Sequence, residues 1–303
     1  MMATIETSLF NTKFSSPIFL ASGILGETAD SLIHCFKAGA GCVVTKSIGS
    51  VPVDGDPLPV YLSTPHYSLN CMGLPNPGIE DYKQELQLLK ESKVAFAGSV
   101  FSDTPGGFAR LAQVMEEHGA LFLELNISCP NKSGVGDVIS ADMKLTGSIV
   151  EAVASSVKIP VLPKLSPNLT SPGEYASKMM AKGARGFVCT NTARGMHIDA
   201  MAKKPVLSKK YGGIAGPALK PMALYSVFKV YEETGAPIIG VGGVSSGIDA
   251  AEFLLAGARA VEIGSIIERD GPCAFTRIRK ELDTYMDENG FSKVEEVVGL
   301  AHE

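Results

Sequence analysis

Eight strand-length apolar runs, separated by longer amphipathic stretches, recur along the 303 residues of this chain. The runs are PIFLAS from Pro17, GCVVTK from Gly41, VAFAGSV from Val94, LFLELNIS from Leu121, VLPKLS from Val161, GFVCTN from Gly186, PIIGVGG from Pro237 and AVEIGS from Ala260. Each is apolar on both faces at its middle, as expected of a buried parallel strand with helices outside it. Helical periodicity fills the gaps at Phe108 to His118, Gly147 to Val157, Tyr175 to Lys182 and Leu224 to Thr234. A glycine closes the approach to the next run in HGA, KGA, TGAP and AGA, where it can take the left-handed conformation that stops a helix. Eight such units at this length predict an α/β fold, a single (β/α)8 TIM barrel over residues 1–303 with long loops at its C-terminal mouth. An open doubly wound sheet would carry GxGxxG after its first strand, and Ala21-Ser22-Gly23 does not supply it.

Composition excludes several functions. Hydrophobic residues make up 45% and charged residues 19%, enough for a large core. The formal net charge is −5 and no Lys/Arg run occurs, which argues against a nucleic-acid partner. The longest apolar runs fall far short of the roughly 20 residues of a membrane helix. With no basic, apolar leader at the N-terminus, a cytoplasmic protein without a membrane partner is expected. The six cysteines form no CxxC pair and none has zinc-ligand spacing, so no metal site is expected. Cys35, Cys42, Cys189 and Cys273 read as buried, reduced thiols, while Cys71 and Cys129 stand in loops. An iron–sulfur centre serving this protein would have to belong to another chain.

Three post-strand segments exceed ordinary connections: Ser50 to Glu91, Pro130 to Leu145 and Thr192 to Pro221. All three would sit at the mouth, where barrel enzymes keep their chemistry. Polar residues collect at the same end: Lys46, Asn126, Ser128, Lys164 and Asn191 close four of the strands. An unpaired ammonium there is costly, so two lysines beside two asparagines point to a polar, anionic ligand. Gly240-Val241-Gly242-Gly243 and Gly264-Ser265 follow strands 7 and 8, where small residues let backbone N–H groups and a helix N-terminus approach a phosphate. The loop Asn70-Cys71-Met72-Gly73-Leu74-Pro75-Asn76-Pro77-Gly78 is either a plain turn or a backbone surface around a small ligand. Asn126-Ile127-Ser128-Cys129-Pro130-Asn131 sets a thiol over the mouth. No histidine is placed to make it a nucleophile, so a general base is favoured.

Together these stretches resemble the class 1 dihydroorotate dehydrogenases, over nearly the whole chain and in family order. LASG from Leu20, TKSI from Thr45, NCMGLPNPG from Asn70, ELNISCPN from Glu124, PKLSPN from Pro163, TNT-x-x-GMHID from Thr190, GGIAGPALKP from Gly212, GVGGVSSG from Gly240 and IGS from Ile263 carry the resemblance. The segment from Gly195 to Pro221 looks like the 1B branch. The resemblance implies one FMN per chain, which takes a hydride from C6 of dihydroorotate while a base removes the C5 proton. Cys129 would be that base. Lys46 would lie between flavin and the substrate carboxylate, and Lys164 would offset negative charge at the N1–O2 edge of the reduced flavin. Asn70, Asn126, Asn131, Asn191 and Thr192 would read the pyrimidine, with Met72 and the backbone at Gly73 and Leu74. Ala21, Ser22, Ser47, Ser99, Thr190 and Gly216 would hold FMN, with Gly242, Gly243, Gly264 and Ser265 at its phosphate; Lys46 and Asn126 would touch it too.

The implied role is oxidation of (S)-dihydroorotate to orotate in pyrimidine biosynthesis. The implied assembly is a homodimer, or a heterotetramer with an electron-transfer subunit carrying FAD and a 2Fe–2S cluster. Type 1A relatives, which reduce fumarate, are homodimers. The chain departs from the family pattern twice. Ser99 stands where an asparagine usually contacts flavin, and KSGVGDVISAD replaces the glycine–aromatic pattern after Asn131. The nearest alternative is an FMN barrel of the dihydropyrimidine dehydrogenase kind, acting on another pyrimidine. Lys46 favours a carboxylate-bearing substrate over it. A tRNA dihydrouridine synthase would need a basic surface; a sugar-phosphate barrel would purify colourless; an idle barrel would have little reason to keep Lys46, Cys129 and Lys164.

Overall fold

A computed structural model describes residues 5–128, 140 and 142–303. Among the described residues, the eight apolar runs form the staves of one closed parallel barrel. They are β1 Ile18–Leu20, β2 Val43–Val44, β3 Phe96–Val100, β4 Leu123–Leu125, β5 Val161–Leu165, β6 Phe187–Cys189, β7 Ile238–Val241 and β8 Ala260–Ile263. Neighbours in sequence pair in space, and β8 closes on β1 through Val261 opposite Ile18 and Ile263 opposite Leu20.

The helices outside follow from local chemistry. Helix α1 (Ala29–Lys37) and helix α2 (Ile79–Glu91) flank β2, with the first capped by Thr28. Helix α3 (Pro105–Glu117) starts with proline at its first turn, and the Thr104 hydroxyl accepts from Gly107 N–H. Its Phe108, Leu111, Ala112 and Met115, spaced at helical periodicity, are buried against the barrel. Helices α4 (Met143–Ser156), α5 (Pro172–Met180), α6 (Lys220–Thr234), α7 (Gly247–Leu255), α8 (Ser265–Asp270) and α9 (Cys273–Glu288) complete the ring. Four of these helices are longer at their N-terminal ends than the apolar periodicity suggested, because capping residues and prolines begin the first turn before the apolar stripe does. No helix among the described residues is long and apolar enough to cross a membrane.

Side chains two apart on a strand share a face, so the barrel lumen is built in tiers. The lower tier is apolar: Phe19, Cys42, Ala97, Phe122, Leu162, Val188, Ile239 and Ala260 form one cluster. A hairpin that the strand pattern did not signal, Thr7–Leu9 paired with Thr12–Phe14, plugs the bottom with Leu9 and Phe14. Burying a large apolar side chain contributes about 1.5–3 kcal/mol, and this tier offsets the cost of the charges one step higher.

The loops after β2 and β6 build a second layer. Strands Tyr61–Ser63, Ser68–Asn70, Gly212–Ala215 and Ala193–Gly195 form one antiparallel sheet over the mouth. Cys35, Cys42 and Cys189 are buried as expected, but Cys273 is exposed at the start of α9. Apolar periodicity there marks the opposite helix face, so the burial expected for Cys273 is corrected. Cys71 is buried with Leu69 and Leu207 under the sheet.

Candidate active site

At the C-terminal end of the strands, under that sheet, lies a cavity of about 340 Å3, within the roughly 300–1,000 Å3 of small-molecule sites. Lys46, Asn70, Asn126, Lys164, Asn191 and Thr192 line it, as do Ala21, Ser22, Ser47 and Thr190. Met72 and Leu74 reach it from the loop after β2, and Gly216, Gly242, Gly243, Gly264 and Ser265 border it on the side of β7 and β8. The chain thus brings together strand ends spread over more than two hundred positions. Gly73 does not line the cavity, although its neighbours do. Cys129 and Asn131 lie outside the described residues.

Ser99 does not line the cavity either. It is fully buried, bonded to Ser47 Oγ at 2.9 Å and donating to Glu124 Oε1 at 3.3 Å. Its hydrogen-bond partner Ser47 lines the cavity, so Ser99 stands one hydrogen bond behind the wall. Asn126 Nδ2 donates to Ser47 Oγ at 2.9 Å. Asn191 Nδ2 donates to Asn126 Oδ1 at 3.1 Å and to Ser128 Oγ at 3.2 Å, while Asn191 Oδ1 accepts from Thr192 N–H at 2.8 Å. These bonds hold both carboxamides in fixed orientations across the mouth.

The cavity floor is charged. Glu124 and Glu262 are fully buried side chains, and Lys164 Nζ bridges them, 3.1 Å and 3.2 Å from the Glu124 oxygens and 3.2 Å from Glu262 Oε2. Burial pulls the Lys164 ammonium toward deprotonation, but the two carboxylates more than reverse this, so it stays charged above the ordinary lysine range. Glu262 is pushed up by burial first and by Glu124, with Lys164 pulling the other way, and ends well above the carboxylate range. Lys46, buried at the wall, reaches Glu27 at 3.0 Å, and the Glu27 side chain is 62% exposed. A half-exposed partner holds a cation weakly, so an incoming carboxylate can compete for Lys46.

Both lysines thus have protein counter-ions that the strand ends alone did not reveal. Glu124 lies two residues before Asn126, and Glu262 two before Gly264; period-two counting back from the mouth would have found them. Glu27, and the Tyr61 hydroxyl that donates to Glu268 at the rim, have no such signal.

Two polar atoms at this wall are left over: Thr190 Oγ1 and Glu262 Oε1 are buried without a hydrogen-bond partner. Buried polar atoms are rarely left so unless a ligand meets them. On the opposite side, Gly243 has φ +76°, and a Cβ there would come 2.7 Å from the Gly216 carbonyl. Only glycine lets these two turns close on each other and leaves backbone open to a phosphate-sized anion. The leftover floor atoms and the glycine cradle fit a phosphorylated, hydrogen-bonding cofactor.

The family model described as dihydroorotate dehydrogenase matches residues 4–286. Similar chains include the catalytic subunit of dihydroorotate dehydrogenase B (NAD+) of Thermoplasma volcanium, 43% identical over 300 residues, covering 99% of each chain. The same-named subunit of Methanocaldococcus jannaschii is 41% identical over 303 residues, covering 99% of this chain and 98% of that one. That of Methanothermobacter thermautotrophicus is 41% identical over 305 residues, covering all of both. Among solved structures, the dihydroorotate dehydrogenase of Eimeria tenella in complex with ferulenol shares the fold, with TM-score 0.87 and 22% identity, over 99% of this chain and 89% of that one.

Proposed function

The chain belongs to the dihydroorotate dehydrogenase family, and from that premise we propose that it oxidises (S)-dihydroorotate to orotate in pyrimidine biosynthesis with FMN as its cofactor, one per chain. The observation that carries this is the cavity that joins Lys46, three asparagines and a lysine-based floor to a glycine cradle. When bound, FMN would supply the acceptor for the hydride that leaves C6 of the substrate. The remaining work falls to the protein. Cys129 takes the C5 proton, so that hydride and proton together leave orotate. Lys46 exchanges Glu27 for the substrate carboxylate. Asn70, Asn126, Asn131 and Asn191 pair with the polar edges of the pyrimidine, whose fixed orientation brings C5 and C6 to the reacting groups. Thr192, Met72 and the backbone at Gly73 and Leu74 close the substrate side. Lys164 and Thr190 meet the flavin ring from the floor, with Ala21, Ser22, Ser47 and Gly216 around it and Gly242, Gly243, Gly264 and Ser265 at the phosphate.

Electron transfer onward is assigned to a companion chain. The relatives are named catalytic subunits, and the six cysteines here show no cluster spacing. The assembly proposed with it is a homodimer of single-domain barrels spanning residues 1–303, or a heterotetramer in which an FAD and 2Fe–2S subunit passes electrons to NAD, in the cytoplasm; the relatives' naming as catalytic subunits supports the second.

Adding dihydroorotate without oxygen to the purified protein should bleach its flavin band. A yellow protein that stays yellow would move the substrate to another pyrimidine; a colourless protein that cannot take up FMN would overturn the assignment. The cradle makes its own prediction. Gly243→Ala should weaken FMN binding at least tenfold, equivalent to about 1.4 kcal/mol, in a fluorescence titration. Gly271→Ala places the same kind of strain (φ +64°) where no atom lies within 4 Å of the new methyl. It should lower stability and leave FMN affinity unchanged.

A further inference from the structure

The floor holds two carboxylates and one ammonium, all buried, and its charges do not balance if every group is ionised. Glu124 is richly satisfied. It accepts from Ser22 Oγ at 2.8 Å, from Ser99 Oγ at 3.3 Å, and from Lys164 Nζ at both oxygens. Glu262 has one donor, Lys164 at 3.2 Å through Oε2; its carboxyl also lies within hydrogen-bonding reach of Glu124, and its Oε1 has no partner. A carboxylate with several donors keeps its charge, whereas a buried one with a single shared donor is the cheaper place for a proton. Glu262 also lines the cavity.

We propose that Glu262 is held as a neutral carboxylic acid and is a positioning residue of the cavity floor, offering Oε1–H as a hydrogen-bond donor to an acceptor atom of the bound cofactor. This rests on the flavin assignment for the identity of the acceptor, but not for the proton itself. The surroundings agree. Facing Glu262 are Lys164 from β5 and Glu124 from β4, and the nearby thiols Cys42 and Cys189 are both pushed up by burial and stay neutral. Other charges at the cavity, Lys46 and Glu268, are engaged with Glu27 and Tyr61. Burial, opposed by Lys164 and reinforced by Glu124, raises the Glu262 carboxyl to about 8. The floor is therefore neutral near pH 7 and becomes net negative as pH rises, and a negative floor disfavours adding electrons to whatever covers it.

Two readouts test this. Infrared difference spectra between pH 6 and pH 9 should show loss of one protonated carboxyl stretch in the wild type, with or without flavin. The signal should be absent in Glu262→Gln, which keeps the shape and the donor but cannot ionise. It should also be absent in Glu124→Gln, where Glu262 becomes the sole counter-ion of Lys164 and is ionised throughout. In holoprotein, the flavin midpoint potentials of wild type and Glu262→Gln should coincide at pH 6. At pH 9 the wild type should lie lower by about a tenfold change in the equilibrium, ~30 mV for two electrons. A carboxyl band that survives in Glu262→Gln, or a potential gap equal at both pH values, would overturn the proposal. Protein that binds no flavin would instead overturn the functional assignment, and the infrared result would still decide the proton.

Discussion

Replacing Lys164 by methionine is expected to cost the fold about 3–5 kcal/mol at pH 7, measured by denaturant unfolding, and to abolish flavin retention. The reason is not the loss of one contact. Lys164 is the shared partner of the Glu124 carboxylate and the Glu262 carboxyl, both without solvent exposure, and removing it strands the Glu124 charge in the lumen beside a second carboxyl. The deficit should shrink on moving to pH 5, because protonation then relieves the stranded pair. The wild type carries a milder form of the same dependence. The Glu262 carboxyl is raised on folding from the ordinary 4.5 to about 8, so between those values the unfolded chain binds fewer protons than the folded one. The stability it lends is complete below about 4.5 and is lost as pH rises through about 8. Glu262→Gln should flatten that slope. A Lys164→Met protein as stable as the wild type at pH 7 would show that water reaches the floor and screens it.

The second large effect is on turnover. Cys129→Ala should lower dihydroorotate oxidation by about 10²–10⁴-fold, the usual contribution of a positioned base, while flavin content and melting temperature stay near wild type. Activity should return in part at high pH, where hydroxide replaces the missing base. Cys129 lies outside the described residues, but the strand leading to it is firmly held. Ser128 Oγ donates to the Lys164 carbonyl at 2.7 Å and accepts from Asn191 Nδ2. Unchanged turnover in the alanine variant would assign the proton transfer to another group.

Lys164 and Cys129 also mark how far residue order alone can reach. Lys164 was visible as a polar strand end and Cys129 as a thiol in the loop just past one, since each strand and its C-terminal end are read from neighbours a few positions away. Local signals of this kind also placed the eight staves, the Gly119, Gly183, Gly235 and Gly257 helix stops, each with positive φ, and the glycine turns of the cradle. They could not show that Ser99 bonds Ser47 and Glu124 from the neighbouring staves, since those partners meet it only after closure. Nor could they show that Ser68–Asn70 pairs with Gly212–Ala215 to roof the site, because strands more than a hundred residues apart meet only once the barrel has formed.

The alternation of apolar strand and amphipathic helix, together with the polar strand ends, determined by itself that this chain closes into a barrel and which rim carries its chemistry. Only the tertiary structure decided what those charges face. Lys164 meets Glu124 from the adjacent strand and Glu262 from across the lumen, 98 positions away in sequence. No local preference couples such residues. Their pairing is set by strand stagger and by burial inside the barrel, where a charge must find its partner or give up its proton.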